Sequence, residues 1–306
     1  MNLVPKNDII IPSHIQIETV AGICTFRCIM CPIKKSIRKE VMSTDKFETI
    51  LKKILYFKEK IQYISLLGLG ETLLDKEVVK KVVLAKQYGF NGVGIYTNGS
   101  LLSPQMSEDL INSKLDSLII SIDGITPDTQ ERIRPGSNTD KLINQIRYFI
   151  KIRKQISGKT RLILRFTKQK INKLEWPSFY NYWKNQLSAE YNDSIFCYHV
   201  HNCGDMVNNY KALHIDNNNF NNLKCPEVFS RMIIFSNGDI GLCCGDQFGN
   251  YKIGNIFYED PLILYNHKIF KKYRKTMIEG NILKLKLCKN CTVMYSIYSR
   301  KHFNLK

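Results

Sequence analysis

The sequence is short of acidic residues, of long apolar runs and of export signals. Its 306 residues include 45 Lys and Arg but only 27 Asp and Glu, which leaves 18 excess positive charges. No apolar stretch approaches the roughly 20 residues of a membrane-spanning helix. The amino terminus, MNLVPKNDIIIP, lacks the charged, apolar and small-residue regions of a signal peptide. These absences predict a cytoplasmic protein without membrane spans.

The positive charge does not by itself predict a nucleic acid partner. A basic excess usually indicates nucleic acid, an anionic lipid or an acidic small substrate. Here the basic residues are spread along predicted helix faces such as LKKILYFKEK and VVKKVVLAKQYG, in a chain rich in Ile, Lys and Asn. We therefore expect no nucleic acid partner, whereas a phosphorylated or carboxylated substrate is compatible with the charge.

The chain has ten cysteines, and their grouping matters more than their number. Disulfide frameworks belong to exported proteins, and nothing in this sequence directs export. The thiols are therefore predicted to bind metal in a reducing compartment. One group lies near the amino terminus, and a second lies beyond residue 224.

Short apolar stretches alternate with longer helical patterns up to about residue 202. The candidate strands are at 14–19, 62–68, 92–97, 117–123, 160–166 and 194–200. The candidate helices are near 43–60, 75–88, 104–113, 138–155 and 175–188. Six strand–helix alternations predict a parallel sheet. We expect an α/β fold with a partial, TIM-like (β/α)6 barrel, and a doubly wound sheet is the alternative.

Alternation along the last three strands predicts a polar face towards the barrel lumen. The predicted lumen face carries Ser117, Ser121, Asp123, Arg161, Arg165, Cys197, His199 and His201. A filled structural barrel has branched apolar side chains there, so we expect a ligand cavity at the carboxyl ends of the strands. His199 and His201 are predicted to bind substrate or relay a proton, with ordinary polar lining as the alternative.

Cys24, Cys28 and Cys31 fall in the loop after the first strand with the spacing Cys-x3-Cys-x2-Cys. A structural zinc site uses four ligands in two pairs, so three thiolates leave one coordination position open. This loop resembles the hallmark of the radical S-adenosylmethionine (SAM) superfamily. The resemblance implies a 4Fe-4S cluster on these cysteines, whose fourth iron is chelated by SAM, and reductive cleavage of SAM to methionine and a 5′-deoxyadenosyl radical. Met30 departs from the family, which usually has an aromatic residue there.

Further motifs extend the resemblance over roughly residues 12 to 202. LLGLGETLL resembles the family's Gly-Gly-Glu motif, in which Gly70 would let the backbone approach SAM and Glu71 would bind its ammonium group. Alone, this pattern also fits a tight strand-to-helix turn. By the same resemblance, Asn98 in YTNGSLL and both Ser121 and Asp123 in SIDG would contact the ribose and the methionine carboxylate.

Two arginines are candidates for that carboxylate. Arg134 in RIRPG and Arg165 on the predicted polar face could each neutralise it with a bidentate guanidinium. A structural ion pair is the alternative for either residue.

A second cysteine group lies in the last third of the chain. A zinc ribbon would have two Cys-x2-Cys pairs, but only LCKNC is such a pair. The pattern instead resembles the truncated SPASM, or twitch, domain, with NGDIGLCCGD and KIGNI as its hairpin. The resemblance implies one auxiliary 4Fe-4S cluster, and two clusters in all, with the auxiliary ligands Cys225, Cys243, Cys288 and Cys291.

The Asn-rich stretch HIDNNNFNNL marks the predicted domain boundary. We expect a barrel core at 1–203, a linker at 204–224, an auxiliary-cluster domain at 225–295 and a packed or frayed basic tail at 296–306.

Three cysteines are left without a ligand role. Cys244 adjoins a predicted ligand, and its thiol is a candidate hydrogen-atom donor to a substrate radical, with simple packing as the alternative. Cys197 is expected to be a small lumen-facing hydrophobe and Cys203 a loop thiol.

The predicted reaction begins with hydrogen abstraction from an unactivated C–H bond. Hydrogen return from Cys244 would give an epimer, whereas loss of an electron to the auxiliary cluster would give an oxidised product. Cys24 lies close to the amino terminus, where peptide-modifying relatives often carry a leader-recognition domain. We therefore expect a sugar-like or aminocyclitol-like substrate, with a ribosomal peptide as the alternative, and a flavodoxin- or ferredoxin-type reductant. A non-catalytic iron–sulfur or zinc protein is the remaining alternative, and it gives no role to Glu71, Asn98 and Ser121.

Overall fold

The computed structural model describes residues 9–215, 225–298 and 301–304. Residues 216–224 of the predicted linker therefore lie outside the described residues. Within the described parts, no helix has the length and apolar character needed to cross a bilayer.

Nine strands form one sheet, and two more form a small ribbon. The strands are β1 His14–Ile17, β2 Val20–Ala21, β3 Glu40–Val41, β4 Tyr63–Leu66, β5 Val93–Thr97, β6 Ser117–Ser121, β7 Arg161–Lys168, β8 Ser194–His199, β9 Arg231–Ile234, β10 Ile240–Gly241 and β11 Lys301–Asn304. The order in the large sheet is β10-β9-β1-β4-β5-β6-β7-β8-β11, while β2 pairs with β3.

The predicted partial barrel is confirmed by this order. β1, β4, β5, β6, β7 and β8 are parallel and follow one another in chain order. A doubly wound sheet would reverse direction at a switch point, and these six strands do not. In the described sheet the end strands β10 and β11 do not pair with each other, so the barrel stays open.

Eleven α-helices accompany the strands in the described part of the chain. They are α1 Thr44–Ile54, α2 Val78–Gln87, α3 Pro104–Asn112, α4 Pro127–Ile133, α5 Thr139–Gln155, α6 Trp176–Lys184, α7 Tyr210–Leu213, α8 Glu227–Ser230, α9 Pro261–Tyr265, α10 Lys268–Ile278 and α11 Val293–Tyr298. α1 illustrates why they form. The Ser43 hydroxyl accepts a hydrogen bond from the amide of Lys46 at the helix start, and Phe47, Ile50 and Ile54 lie on one buried face.

The second cysteine region shares the sheet of the barrel. β9 pairs in parallel with β1, from His14 opposite Arg231 to Ile17 opposite Ile234. At the other edge β11 pairs antiparallel with β8, so part of the predicted tail is a strand. The division at residues 203 and 225 stays a prediction.

The predicted faces of β6 and β7 agree with the structure, but those of β8 are reversed. Arg165 pairs with Phe196, and Phe166 pairs with Cys197. Partners in a parallel ladder point to the same face, so Cys197 joins the outer apolar core with Phe166. The prediction that Cys197 and His199 face the lumen is wrong, because aromatic side chains form the lumen wall on this strand.

Candidate functional site

The carboxyl ends of the parallel strands surround a cavity of about 280 Å³. Its wall contains the loop with Cys24, Cys28 and Cys31, the Gly70–Glu71 turn after β4 and the Asn98 turn after β5. It also contains Cys243 and Cys244 from the second cysteine region. The two cysteine groups therefore open on the same space.

Neighbouring segments hold the three-cysteine loop in place. The amide of Arg27 donates to the carbonyl of Pro135, and the amide of Ile29 donates to the carbonyl of Ile133 at the end of α4. The amide of Cys31 closes a turn onto the carbonyl of Cys28. These bonds fix the loop backbone against the barrel.

Hydrogen-bond donors point at two of the three sulfurs. The Phe26 amide lies 3.4 Å from Cys24 Sγ, and Asn98 Nδ2 lies 3.5 Å from the same sulfur. Arg134 donates to Cys28 Sγ at 3.5 Å. Burial raises the pKa of all three thiols, that of Cys31 to about 12. Donors of this kind fit iron-bound thiolates, whose sulfurs accept hydrogen bonds.

Gly70 lies where no side chain fits. A Cβ on this residue would lie 2.5 Å from the carbonyl oxygen of Val20 and 3.0 Å from that of Ile23. The Glu71 amide donates to that same Ile23 carbonyl. The lack of a side chain at Gly70 therefore lets the cysteine loop lie close to this turn. This is in addition to the predicted role of Gly70, which is to let the backbone approach SAM.

Glu71 organises the turns around the cavity. Its carboxylate accepts hydrogen bonds from the hydroxyl of Thr97 and the amides of Leu73 and Asn98. Burial raises its pKa, and these bonds oppose the rise. A carboxylate has about four acceptor positions, so one is left for an ammonium donor. The sequence motif around Glu71 gives no sign that Thr97, 26 residues further on, binds its carboxylate.

Asp123 does not reach the cavity, so its predicted contact with SAM is wrong. It is fully buried, and its Oδ2 pairs with Arg134 at 2.8 Å while its Oδ1 accepts from the Thr167 amide at 2.6 Å. The alternative for Arg134 therefore applies, because its guanidinium forms this ion pair. Through Arg134, Asp123 holds a donor against the Cys28 sulfur.

Arg165 has no carboxylate partner among the residues that the structure describes. Its guanidinium carbon lies 4.5 Å from the ring centroid of Tyr198 and 5.8 Å from that of Tyr96, and all three residues line the cavity. Its Nε is buried without a hydrogen-bond partner. An arginine held between aromatic rings is ready to bind an anion. Ser121, opposite Arg165 in the ladder, also lines the cavity.

We expect Arg165→Met to weaken SAM binding about 10-fold to 100-fold, because a hydrogen bond to a charged group contributes about 1.5–3 kcal/mol. Equilibrium dialysis of SAM against the anaerobic enzyme measures the change. Arg161→Met is the control, because Arg161 lies on the same strand, donates to Ser194 and is outside the cavity wall. Equal affinity in both variants would contradict the assignment.

The four predicted auxiliary ligands lie near one another, because Cys243 interacts electrostatically with Cys225, Cys288 and Cys291. A Cβ on Gly245 would lie 3.6 Å from Cys243 Sγ and 3.7 Å from Cys291 Sγ. The amide of Cys291 donates to the carbonyl of Cys288, which closes the Cys-x2-Cys turn. Burial raises the pKa of Cys225 to about 12 and also raises that of Cys288. Four cysteine thiols that interact electrostatically with one another are a donor set that suits an iron–sulfur cluster.

Cys203 lies between the two cysteine groups, which its description as a loop thiol did not anticipate. It is buried, lines the cavity and has a positive φ of 49°. Its sulfur lies 3.4 Å from His201 Nδ1. His201 lines the cavity as predicted for a substrate residue, whereas His199 contacts Tyr295 with ring centroids 5.1 Å apart and lies outside the wall.

The remaining polar wall comes from β1 and β9. Arg231 lies 2.9 Å from Glu227 and donates to Gln16 at 3.2 Å, and both Arg231 and Gln16 line the cavity. Sequence reasoning missed these residues because the pairing of β9 with β1 has no local signal. For Gln16, the alternation of polar and apolar side chains along β1 was the sequence signal that could have placed it on the lumen face.

Comparison with known families agrees with this geometry. The profile of the Radical SAM superfamily matches residues 19–172, half of the chain. The chain belongs to the radical SAM superfamily. Its residues 225–292 match the SPASM iron–sulfur cluster-binding domain. This radical SAM enzyme therefore uses SAM and 4Fe-4S clusters as cofactors.

The proteins that this chain resembles are distant from it in sequence. A GTP 3′,8-cyclase of Clostridium acetobutylicum is 31% identical over 169 residues, which cover 53% of this chain. The chain spans about half the length of that relative. The crystal structure of BtrN in complex with AdoMet and 2-DOIA has a TM-score of 0.63 at 18% identity, and covers 92% of this chain and 93% of BtrN.

A second solved structure is SuiB of Streptococcus suis bound to the precursor peptide SuiA. Its TM-score is 0.65 at 18% identity, and the match covers 93% of this chain and 70% of SuiB. At these identities the likeness is one of fold.

Proposed function

We propose that this radical SAM enzyme acts on a C–H bond of a hydroxylated small molecule of the sugar or aminocyclitol class, and that Cys244 then returns a hydrogen atom to give the epimer. The thiyl radical left on Cys244 becomes a thiol again by taking one electron from the external one-electron reductant and one proton from solvent. When bound, the reduced cluster and SAM supply a 5′-deoxyadenosyl radical, which removes the first hydrogen atom. The loop with Cys24, Cys28 and Cys31 holds this pair in the cavity wall. Asn98 and Arg134 orient the sulfurs through their hydrogen bonds.

One observation carries this proposal. Cys244 lines the same cavity as the three-cysteine loop, although 213 positions separate Cys244 from Cys31 (244 − 31 = 213). A substrate carbon in this space has a thiol within reach as well as the radical source. The S–H bond of a thiol is weaker than most C–H bonds, so transfer of its hydrogen to a carbon radical is favourable.

The polar wall supports the substrate class. Gln16, Arg231 and His201 offer hydrogen-bonding groups to hydroxyls in a cavity of about 280 Å³, and small-molecule sites use a few convergent groups of this kind. BtrN, whose structure contains the small molecule 2-DOIA, matches this chain over 93% of its own length. The likeness to SuiB with its precursor peptide keeps a ribosomal peptide as the alternative.

Oxidation is the second candidate reaction. Cys243, a proposed ligand of the auxiliary cluster, also lines the cavity. That position favours electron loss from the substrate towards the auxiliary site. In that reaction the substrate radical would lose one electron to the auxiliary site and one proton to solvent, and Cys244 gives no hydrogen.

An assay of hydrogen return tests the proposal. The anaerobic enzyme is incubated in D2O with SAM, dithionite and a panel of sugars, aminocyclitols and short peptides. We expect 5′-deoxyadenosine and an epimeric product with one deuterium, because a thiol exchanges its proton with solvent. With Cys244→Ala we expect 5′-deoxyadenosine to continue while deuterated product falls at least tenfold.

Cys203→Ala is the matched control, since Cys203 is the other non-ligand thiol of the cavity wall. Loss of deuterium return in this variant instead would transfer the donor role to Cys203. Normal turnover of Cys244→Ala with an oxidised product would favour the second candidate. Absence of 5′-deoxyadenosine from the unaltered enzyme would refute both reactions.

A further inference from the structure

A group of basic residues lies next to the auxiliary cysteines. Residues 261–292 contain eight basic residues and a single acidic one, Glu279. Arg274 is buried. The other seven are exposed lysines, here called the lysine face: Lys268, Lys271, Lys272, Lys275, Lys284, Lys286 and Lys289.

Helix α10 carries four of these lysines on one side. Lys268, Lys271, Lys272 and Lys275 have the spacing i, i+3, i+4 and i+7, which places them on one face of a helix. The opposite face buries apolar and aromatic side chains: Phe270, Tyr273 and Met277. These belong to the same apolar core as Leu285, Leu287 and Cys288. The helix thus packs its inner face towards the auxiliary cysteines and turns its lysines to solvent.

The segment that carries the Cys-x2-Cys pair supplies the remaining three. In LKLKLCKN, Leu285, Leu287 and Cys288 are buried, whereas Lys284, Lys286 and Lys289 are exposed. The short 3-10 helix Ile282–Lys284 packs on α10, which joins the two parts. Lysines therefore flank a proposed cluster ligand directly.

These charges are largely unpaired within the chain. Among the described residues, the one carboxylate within 4.0 Å of the lysine face is that of Glu279, 3.9 Å from Lys275. Some lysines of α1 and α2 are paired, since Lys52 pairs with Glu48 and Lys80 pairs with Glu77. A set of like charges without counter-charges is a surface that an acidic partner stabilises.

We propose that the lysine face docks an acidic one-electron carrier protein, of the flavodoxin type, that exchanges electrons with the auxiliary cluster. The inference rests on the proposed function in that the cluster must be bound by Cys225, Cys243, Cys288 and Cys291. With the cluster bound, one electron would pass from the reduced carrier to the oxidised cluster. The carrier would be oxidised by one electron and the cluster reduced by one, with no change of bonds or protons.

A carrier protein fits this surface better than nucleic acid does. The lysines lie over a redox site, which a nucleic acid has no use for. The face also lacks exposed arginine, the residue that binds phosphate in bidentate geometry. Interfaces between redox proteins are small, and their rate of association depends on complementary charge. The exposed lysines provide the positive charge for such an interface.

The test measures binding as well as electron transfer with the anaerobically purified full-length enzyme. An acidic flavodoxin is titrated at several salt concentrations, and its semiquinone signal is followed by stopped flow. The docking variant is Lys271→Glu, Lys272→Glu and Lys286→Glu combined. The matched control combines Lys151→Glu, Lys154→Glu and Lys159→Glu, three exposed lysines of which two lie near the carboxyl end of α5 and the third follows the helix. Both variants change the net charge equally.

We expect the docking variant to weaken flavodoxin binding at least tenfold and to flatten its salt dependence, while the control stays within twofold. Electron exchange should slow in parallel, whereas SAM cleavage driven by dithionite should be unchanged, because a small reductant needs no docking surface. Absence of that cleavage in all enzymes would instead refute the proposed function. Equal losses in both variants, or no loss in either, would overturn the docking proposal. So would tighter binding of a short DNA duplex, lost in the same variant.

Discussion

Cys28→Ala is expected to abolish SAM cleavage. Cys28 lies beneath the Arg134 guanidinium, which donates to its sulfur at 3.5 Å, and a cluster with two protein thiolates cannot be held in the geometry that presents an iron to SAM. We expect 5′-deoxyadenosine below detection under dithionite and a fall from about eight to about four iron atoms per chain. Iron analysis and chromatography of the reaction mixture measure both.

Cys197→Ala is the control for this prediction. Cys197 is buried in the outer apolar core, paired across the ladder with Phe166. Its loss removes a small hydrophobe and leaves the cavity wall intact, so iron content and SAM cleavage should persist. Retention of full iron content by Cys28→Ala would contradict its assignment as a ligand.

Asp193→Ala is expected to lower the free energy of unfolding by about 3–5 kcal/mol, because removal of one partner leaves a buried charge unpaired. Arg153 and Asp193 are both fully buried and form two parallel bonds of 2.7 Å. The same carboxylate accepts the amides of Leu162 and Ser188. It therefore ties α5 to the starts of β7 and β8 at the end of the barrel remote from the cavity. Urea titration followed by circular dichroism measures the loss.

Asp128→Ala provides the comparison. Asp128 also pairs with an arginine, Arg132, but at 3.4 Å and with 81% of its side chain exposed. Exposed pairs contribute little, so the urea midpoint should not move measurably. Similar midpoints for the two variants would show that the buried pair is not a major source of stability.

The sequence was most informative where local pattern and chemistry coincide. The alternation of apolar stretches located all six barrel strands, since parallel strands covered by helices are short and apolar. The spacing of Cys24, Cys28 and Cys31 indicated the family because the open coordination position is a chemical requirement. Both features are readable without knowledge of distant contacts.

Other features depend on contacts far apart in the chain. β9 has no sequence mark that ties it to β1, although its strand extends the sheet. The polarity of the side chains is a poor guide to the lumen face of β8, because two aromatic side chains, Phe196 and Tyr198, form the cavity wall there. Asp123 looked like a ligand-binding residue because SIDG ends a strand. Asp123 is instead the counter-ion of Arg134, which lies eleven residues further along the chain. Only the folded structure brings these two side chains together.

The parallel pairing of β1 with β9 has a mechanical consequence. The three-cysteine loop comes after β1 and the short strand β2, and Cys243 and Cys244 come after the β9–β10 hairpin. Neighbouring strands are held about 4.8 Å apart by their backbone hydrogen bonds. The two metal-binding segments therefore leave the sheet from neighbouring strands, and the ladder between β1 and β9 fixes the positions from which they start.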